Sequence, residues 1–273
     1  MEVKETAIEV KYNKDYSIFQ ANELIRSKQD ELTILEARLV RLAISQVVRE
    51  DTDFRTYKCS ITDLAKFLGI NKDNIYKEAQ TFSQNLMRKT IRINSRENGK
   101  KKDKYKLIHW VSSVIYEEGE ITFKLSEDLK PYLLGLDELF TRYGFNDILS
   151  LPTNYAIRLF ELLQSFGNYT VRDYPAQNYT NIELEEGEVI FTIDYLRNYF
   201  NCEDKYPNTS DFIKRVIESS ITAINKETAM RATYRVIKKG RSIKYVVFNP
   251  YNKQKAFTPE QIKRITEYKG GLE

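Results

Sequence analysis

Residues 62–88 decide the fold of this chain: they read TDLAKFLGINKDNIYKEAQTFSQNLMR. A short helix is predicted to begin at Thr62 and to end at Gly69, because glycine adopts a positive φ without strain. After a tight turn, a longer helix is predicted from Lys72 to about Arg88. Its apolar face consists of residues at helical spacing: Ile75, Ala79, Phe82 and Leu86. A short helix, a turn and an amphipathic helix with a basic, amide-rich outer face are typical of a helix-turn-helix.

A β-hairpin with a basic tip is predicted directly after the longer helix. Ile91–Ile93 alternates as a strand, residues 96–102 form the turn, and Tyr105–Tyr116 form one return strand. A second tight turn at residues 117–120 leads into another strand, Ile121–Leu125. A helix-turn-helix that is followed by such a hairpin, or wing, is a winged helix.

The second half of the chain repeats this order of elements. In the first half, the helix-turn-helix is preceded by a strand at Tyr57–Ser60 and by a helix that opens at Leu32, whose exposed face is predicted to carry Glu36, Arg38 and Arg41. The corresponding elements of the second half are a helix at Tyr155–Phe166, a strand at Val189–Ile193, a short helix at Asp194–Phe200, a helix from Ser210 to about Lys226, and a hairpin of Met230–Ile237 and Ile243–Phe248 with its turn at residues 238–241. This duplication predicts an α+β fold with two tandem winged-helix domains.

The same order divides the chain into four parts. We expect a flexible N-terminal arm at residues 1–16, an N-terminal winged helix at 17–135, a C-terminal winged helix at 136–250 and a C-terminal tail at 251–273. The acidic and polar stretch Tyr169–Glu188 is expected to be a loop or an extra hairpin. The sequence assigns no role to this stretch or to the tail.

The positive charge of the chain is concentrated in two segments. The net charge is only +4. Gln84–Lys106 nevertheless holds nine Lys or Arg and two acids, and Lys205–Tyr245 holds ten Lys or Arg and three acids, so each segment has a net charge of +7. Two basic regions on an otherwise acidic chain indicate two phosphate-binding surfaces, although charge runs are also common on ordinary solvated surfaces.

The outer faces of the two longer helices and the tips of the two wings supply candidate DNA contacts. In the major groove Asn and Gln can pair with adenine and Lys or Arg with guanine, whereas Lys and Arg at a wing tip are suited to phosphates. A solvated surface is the alternative for each side chain. The candidates are Asn71, Lys72, Asn74, Lys77, Gln80, Gln84, Arg88, Lys100, Lys101, Lys102, Asn208, Ser210, Lys214, Arg215, Lys238, Lys239 and Arg241.

The composition argues against several classes of chemistry. His109 is the single histidine and lies in an apolar run that predicts a strand, so neither a histidine metal site nor a catalytic triad is expected. No phosphate-binding glycine loop occurs, and Cys59 and Cys202 are too few for a disulfide framework or a zinc site. We therefore expect no catalytic residue, no metal and no cofactor, and a protein that is not an enzyme. Because no signal-peptide pattern or membrane-spanning run occurs, the protein is expected to be soluble and cytoplasmic, without a membrane partner.

Several stretches, spread over most of the chain, carry a family resemblance. They are Ala21–Ile25, Leu32–Thr33, Glu36–Arg38, Leu129–Leu134, Asn154–Leu163, Asp211–Val216 and Ala223–Thr228, the last running on to Lys238–Arg241. Together, and in this order, they resemble the plasmid replication initiators of the iteron-binding Rep type, the Rep_3 superfamily. The resemblance extends from about residue 20 to residue 250.

The resemblance implies a protein that binds direct repeats in a plasmid origin as a monomer. It implies opening of an adjacent AT-rich region of double-stranded DNA with host factors, namely a host replication initiator and a helicase. It also implies a homodimer in one state, formed through the N-terminal winged helix, and some such dimers repress their own promoter. In the C-terminal recognition helix, Lys214 and Arg215 are implied as the first base contacts. Thr209 and Ile213 stand where more basic relatives have arginine, which implies fewer or differently placed base contacts.

Two other functions are compatible with tandem winged helices. One is a chromosomal transcription repressor, and the other is a protein–protein assembly module whose basic surfaces bind acidic partners. When a protein binds DNA through several phosphates, the logarithm of its affinity falls linearly with the logarithm of the salt concentration. This dependence distinguishes DNA binding from the assembly module. Residues Ile108–Ile115 are apolar enough for a dimer-interface strand, but they suit an ordinary core equally well. A nickase would need a metal site and a nucleophilic tyrosine, and a single histidine offers little basis for one.

Overall fold

The structure, a computed structural model, describes residues 7–48, 50–69, 81–97, 100–166, 182–185 and 187–252. The helices of the first half are α1 (Asn22–Arg26), α2 (Ile34–Ser45), α3 (Ile61–Leu68), α4 (described over residues 81–88), α5 (Lys130–Leu133) and α6 (Phe145–Ser150). Those of the second half are α7 (Asn154–Gln164), α8 (Ile193–Tyr199) and α9, which runs through the consecutive segments Thr209–Phe212, Ile213–Glu218 and Ser219–Glu227. The predicted helices of both halves are therefore present, the one predicted from Lys72 to about Arg88 as far as its described residues 81–88 show.

The strands of the described residues form separate small sheets. In chain order they are β1 (Ile8–Glu9), β2 (Ser17–Ala21), β3 (Lys28–Gln29), β4 (Thr56–Ser60), β5 (Thr90–Glu97), β6 (Lys100–His109), β7 (Val111–Glu117), β8 (Glu120–Leu125), β9 (Phe140–Gly144), β10 (Val189–Thr192), β11 (Met230–Lys239) and β12 (Ser242–Asn252). The sheet orders are β1-β4-β8-β7, β3-β5-β6, β2-β9 and β10-β12-β11. The mixed α+β architecture with two winged helices is confirmed.

Local hydrogen bonds explain where α3 begins and ends. The hydroxyl of Ser60 accepts a hydrogen bond from the N–H of Asp63 at 3.0 Å, so the helix begins at Ile61, one residue before the predicted start at Thr62. It ends at Gly69 as predicted, with a φ of 68°. Helix α3, the first helix of the predicted helix-turn-helix, is thus delimited by its own capping residues.

The single return strand predicted at Tyr105–Tyr116 is wrong, because the structure divides it between two sheets. β6 ends at His109 in the wing sheet, and β7 begins at Val111 in the sheet with β8. Between them Trp110 is fully buried, and its carbonyl oxygen accepts a hydrogen bond from the N–H of Ser126 at 3.1 Å. Burial of this large side chain fixes the point at which the chain leaves the wing.

The two wings are alike but are attached differently. β5 extends to Glu97 and β6 begins at Lys100, so the first wing has a shorter connection than the predicted turn at 96–102. The second wing turns at Gly240, whose φ is 61°. In the second half β10 pairs with the wing strand β12, whereas β4, which has the corresponding place in the first half, pairs with β8. The internal repeat is therefore one of element order and not of strand pairing.

Strand pairing crosses two of the predicted domain limits. Within the arm predicted at residues 1–16, β1 pairs in parallel with β4, and Val10 is buried. β9, which follows the predicted boundary after residue 135, pairs with β2. The boundary stays a prediction, but these strands are attached to the first half. Residues 253–273 of the predicted tail and most of the stretch 169–188 lie outside the described residues.

Two charged side chains predicted on the exposed face of α2 are buried instead. Glu36 is 1% exposed and forms a capping box with Thr33, in which each residue's side chain accepts a hydrogen bond from the other's backbone N–H. Arg41 is 0% exposed and is paired with Glu161 of α7. Residue spacing predicts which side chains share a helix face, but it does not distinguish a face that is exposed to solvent from one that packs against a second helix.

Helix α7 joins the two halves. It packs against α1 and β9 of the first half and against α9 and β12 of the second. Arg158, near its middle, donates hydrogen bonds to the carbonyls of Ile25 at 3.1 Å and Ser27 at 2.8 Å. The hydroxyl of Tyr199 in α8 also donates to the Ile25 carbonyl, at 3.1 Å. The winged helices consequently share one continuous hydrophobic core.

Candidate nucleic-acid interface

Helix α9 has an apolar face in the core and a polar face in solvent. Its buried apolar residues are Phe212, Ile213, Val216, Ile217, Ile221 and Ile224. Lys214 and Arg215 are exposed on the opposite face, and Ser219 and Thr222 continue that face. Neither Lys214 nor Arg215 forms an ion pair with any residue that the structure describes. Both positive charges are thus available to an anionic ligand.

The N-terminal turn of α9 begins at Asn208. The carbonyl of Asn208 accepts hydrogen bonds from the N–H groups of Asp211 at 3.1 Å and Phe212 at 3.2 Å. Its side-chain Nδ2 lies 3.3 Å from Asp211 Oδ2. Asn208 and Ser210 are exposed, and Asp211 lies in the first turn, where an acid suits the helix dipole. This turn therefore presents short polar side chains ahead of the cations of α9.

The tip of the second wing presents three cations around a short turn, two at the end of β11 and one in the turn itself. Lys238, Lys239 and Arg241 are all exposed, as the sequence predicts for a wing tip. Nζ of Lys239 lies 5.4 Å from the ring centroid of Tyr245, within the range of a cation–π contact. Lys244, also exposed on β12, was not among the candidates. Alternation along the strand could have found it, since Lys244 lies two residues after the exposed Ser242.

One cation of the second wing is used within the fold. Nε and Nη2 of Arg235 lie 3.0 and 2.8 Å from Oε1 and Oε2 of Glu188. The hydrogen bonds from Arg235 hold the pKa of the Glu188 carboxyl below its usual range. Arg235 therefore ties β11 to the segment that precedes β10, whereas the tip cations remain exposed.

The first recognition helix is described only over its last two turns. Gln84 and Arg88 are exposed on α4, whereas Phe82 and Leu86 are buried. Asn71, Lys72, Asn74, Lys77 and Gln80 lie outside the described residues. The backbone of Lys100, Lys101 and Lys102 belongs to β6, but their side chains lie outside the described part. These eight candidates stay predictions.

The described residues contain no cluster suited to metal chemistry. Among them, no group of three or more His, Cys, Asp or Glu side chains could hold a metal ion. Burial raises the pKa of the Cys59 thiol to about 11 and also raises that of Cys202, so neither forms a thiolate near neutral pH. His109 is exposed at the end of β6. No helix within the described ranges has the length and apolar character needed to cross a membrane.

Two winged helices in tandem, the second with exposed cations on its recognition helix and on its wing, define a tandem winged-helix protein. Two family models match the chain: "Initiator Replication protein, WH1" over residues 17–164 and "Initiator Rep protein, WH2" over residues 192–250. The chain therefore belongs to the Rep_3 family of plasmid replication initiators.

Comparisons with individual proteins agree with this family. A replication initiation protein of Escherichia coli is 21% identical over 238 residues, which cover 85% of this chain and 68% of that protein. The PI protein of Escherichia coli is 26% identical over 148 residues, or 52% of this chain and 47% of that protein. A crystal structure of Pi initiator protein in complex with iteron DNA has a TM-score of 0.60 at 19% identity, covering 89% of this chain and all of the other. At this identity the agreement shows the fold.

Proposed function

We propose that this chain binds double-stranded DNA at the direct repeats, or iterons, of a plasmid origin. The observation that carries the proposal is the exposed pair Lys214 and Arg215 on α9, in the same winged helix as the basic wing tip of Lys238, Lys239 and Arg241. The related crystal structure contains an initiator bound to iteron DNA, which supports the same class of ligand.

The two surfaces of the second winged helix have different tasks in this proposal. The N-terminal half of α9, with Asn208, Ser210, Lys214 and Arg215, enters the major groove and reads base edges. The wing tip binds phosphates and supplies affinity that is independent of sequence. The first winged helix adds backbone contacts through the exposed Gln84 and Arg88 and through the candidates of residues 71–80 and 100–102.

Repeat binding leads to initiation through partners and not through catalysis by this chain. Several bound copies promote opening of an adjacent AT-rich region, and a host replication initiator and a helicase are then recruited. This part of the proposal is supported by membership of the initiator family. A transcription repressor with the same fold would bind its site but would not start replication.

In a second state the chain is proposed to form a homodimer through the first winged helix, which can repress its own promoter. The supporting observation is β7, an edge strand of its sheet, on which Ile115 is 56% exposed and Tyr116 is 42% exposed. Unpaired groups of an edge strand can pair with a second copy. Ile108, in contrast, is buried in the core.

The test is fluorescence anisotropy with duplex from the region upstream of the protein's own gene, against random duplex of equal length. The repeat duplex is expected to bind at least about 10³-fold more tightly. Lys214→Ala/Arg215→Ala is expected to reduce that preference by about 100-fold, since each base contact contributes about 1–3 kcal/mol. The control Lys58→Gln removes a half-buried cation of β4, which pairs with Glu120 of the neighbouring strand β8 in the first half, and should change neither value. Equal, weak binding to both duplexes would contradict the proposal and favour the assembly module.

Initiation itself is tested by plasmid maintenance. A plasmid that carries the origin and the gene for the double variant should be lost, whereas the same plasmid with the control variant should be kept. Repeat-selective binding without replication would instead indicate the repressor.

A further inference from the structure

Helix α9 changes its hydrogen-bond pattern midway. Between the α-helical segments Thr209–Phe212 and Ser219–Glu227, residues Ile213–Glu218 form a π-helix, in which the backbone N–H groups reach back five residues rather than four. This segment contains Lys214 and Arg215. π-helical turns within α-helices are rare and occur frequently at functional sites.

Ser219 donates to three carbonyl oxygens at the end of the π segment, with its backbone N–H and with its hydroxyl. Its backbone N–H donates to the carbonyl of Lys214, five residues back, and also to that of Val216. In an α-helix this N–H would donate to the carbonyl of Arg215. The Ser219 hydroxyl takes that place instead, because its Oγ donates to the Arg215 carbonyl at 2.7 Å. The hydroxyl thus satisfies the carbonyl that the π turn would otherwise leave without this partner.

The π segment keeps both faces of α9 in line. One row of buried residues recurs at every fourth position: Phe212, Val216, Ser220 and Ile224. An α-helix turns about 100° per residue, so four residues overshoot one turn by about 40°. A π turn holds more residues and reduces this drift. The exposed residues Lys214, Glu218 and Thr222 are also four apart, so the outer face stays in line as well.

We propose that Ser219 is a positioning residue for DNA recognition, which sets the rotation of Lys214 and Arg215 about the axis of α9. This inference rests on the proposed function. Relaxation of the π turn to an α-helix would shift one end of the helix against the other by one residue, or about 100°. The buried Phe212 and Val216 oppose that shift, so a helix without the hydroxyl is divided between two arrangements. Arg215 then no longer meets a base edge in one fixed geometry.

The chain offers a matched control for this hydroxyl. Ser219→Ala removes it at an exposed position, and Ser219→Thr keeps a hydroxyl there. Ser220→Ala removes the neighbouring hydroxyl, which is buried and has no hydrogen-bond partner among the described residues. The ratio of affinities for repeat and random duplex is expected to fall about tenfold in Ser219→Ala, the scale of one base contact. It should be retained in Ser220→Ala and largely recovered in Ser219→Thr. The salt dependence should not change, since no phosphate contact is lost.

A double-mutant cycle with Arg215→Ala distinguishes positioning from direct contact. If Ser219 acts through Arg215, then Ser219→Ala has little further effect on the ratio when Arg215 is already alanine. An equal loss in both backgrounds means that the hydroxyl itself contacts DNA, which overturns the inference. The inference is also overturned if Ser219→Ala is folded by circular dichroism and keeps the same ratio of affinities for repeat and random duplex as the unaltered protein. If the unaltered protein does not prefer the repeat, the proposed function fails and this inference fails with it.

Discussion

Arg41 and Glu161 form a bidentate salt bridge inside the protein. Nε of Arg41 lies 2.9 Å from Oε1 of Glu161 and Nη2 lies 2.8 Å from Oε2, and both side chains are 0% exposed. Arg41 belongs to α2 and Glu161 to α7, and the two residues are 120 positions apart in the sequence. The hydroxyl of Tyr143 donates a further hydrogen bond to Oε1. Because α7 also packs against α9, this pair holds the helix that joins both winged helices.

Glu161→Gln is expected to lower the free energy of unfolding by about 3–5 kcal/mol, because Arg41 would keep its charge in a buried site without a carboxylate. Urea denaturation measures the change. Glu203→Gln is the control, since Glu203 pairs with Lys28 where the side chains are 40% and 31% exposed. That variant should lose less than about 1 kcal/mol. A similarly small loss in Glu161→Gln would contradict this account of the junction.

The same pair is expected to make the fold sensitive to acid. Burial by itself raises the pKa of the Glu161 carboxyl, but the charge and hydrogen bonds of Arg41, aided by Arg158 and Tyr143, hold it below its ordinary value. Because the folded pKa is lower than the unfolded one, the unfolded chain binds more protons as the pH falls. The stabilisation is complete above the unfolded pKa of about 4.3 and is lost as the pH falls through the folded pKa. The urea midpoint should therefore decline more steeply below that value in the unaltered protein than in Glu161→Gln. Parallel declines would show that other groups cause the acid sensitivity.

The features that depend on neighbouring residues could be predicted from the sequence. α3 ends at Gly69 because the positive φ there suits glycine. Lys214 and Arg215 are exposed because apolar residues at helical spacing occupy the opposite face of α9. The turn of the second wing lies at Gly240 for the same kind of local reason. Each of these features is determined by residues that lie close to it in the sequence.

Contacts between distant segments could not be predicted in this way. Arg41 has the spacing of a solvent-facing residue, and nothing near it in the sequence indicates that Glu161 lies opposite. The transfer of the chain between sheets at Trp110 likewise depends on β8, to which β7 pairs. The π segment of α9 shows in the sequence only as a four-residue spacing of apolar positions. A single sequence does not show which distant residues contact each other, so these features could not be predicted from it.

The turn before α9 gives a prediction about backbone strain. Asn201 has a φ of 52°, and its side-chain Nδ2 donates to the carbonyl of Gln29 in β3 at 2.6 Å. Asn201→Gly loses the hydrogen bond but tolerates the left-handed backbone, so a loss of about 1 kcal/mol is expected. Alanine does not tolerate the left-handed backbone, so Asn201→Ala should lower the free energy of unfolding by about 1–2 kcal/mol more than Asn201→Gly. Urea denaturation of the two variants compares them directly. Equal losses would mean that the hydrogen bond alone accounts for the asparagine.

The second wing and α9 are expected to differ in what they contribute to DNA binding. Lys238→Ala/Arg241→Ala should weaken binding to repeat and random duplex by the same factor, because phosphates carry no sequence information. The slope of log affinity against log salt concentration should fall by about 2, one for each lost phosphate contact. Anisotropy titrations at several salt concentrations measure both quantities. Arg235→Gln is the control on the same hairpin, since Arg235 is paired with Glu188 and should leave the slope unchanged. If the wing variant instead loses selectivity for the repeat at a constant slope, the wing reads bases, and the division of tasks between wing and helix is wrong.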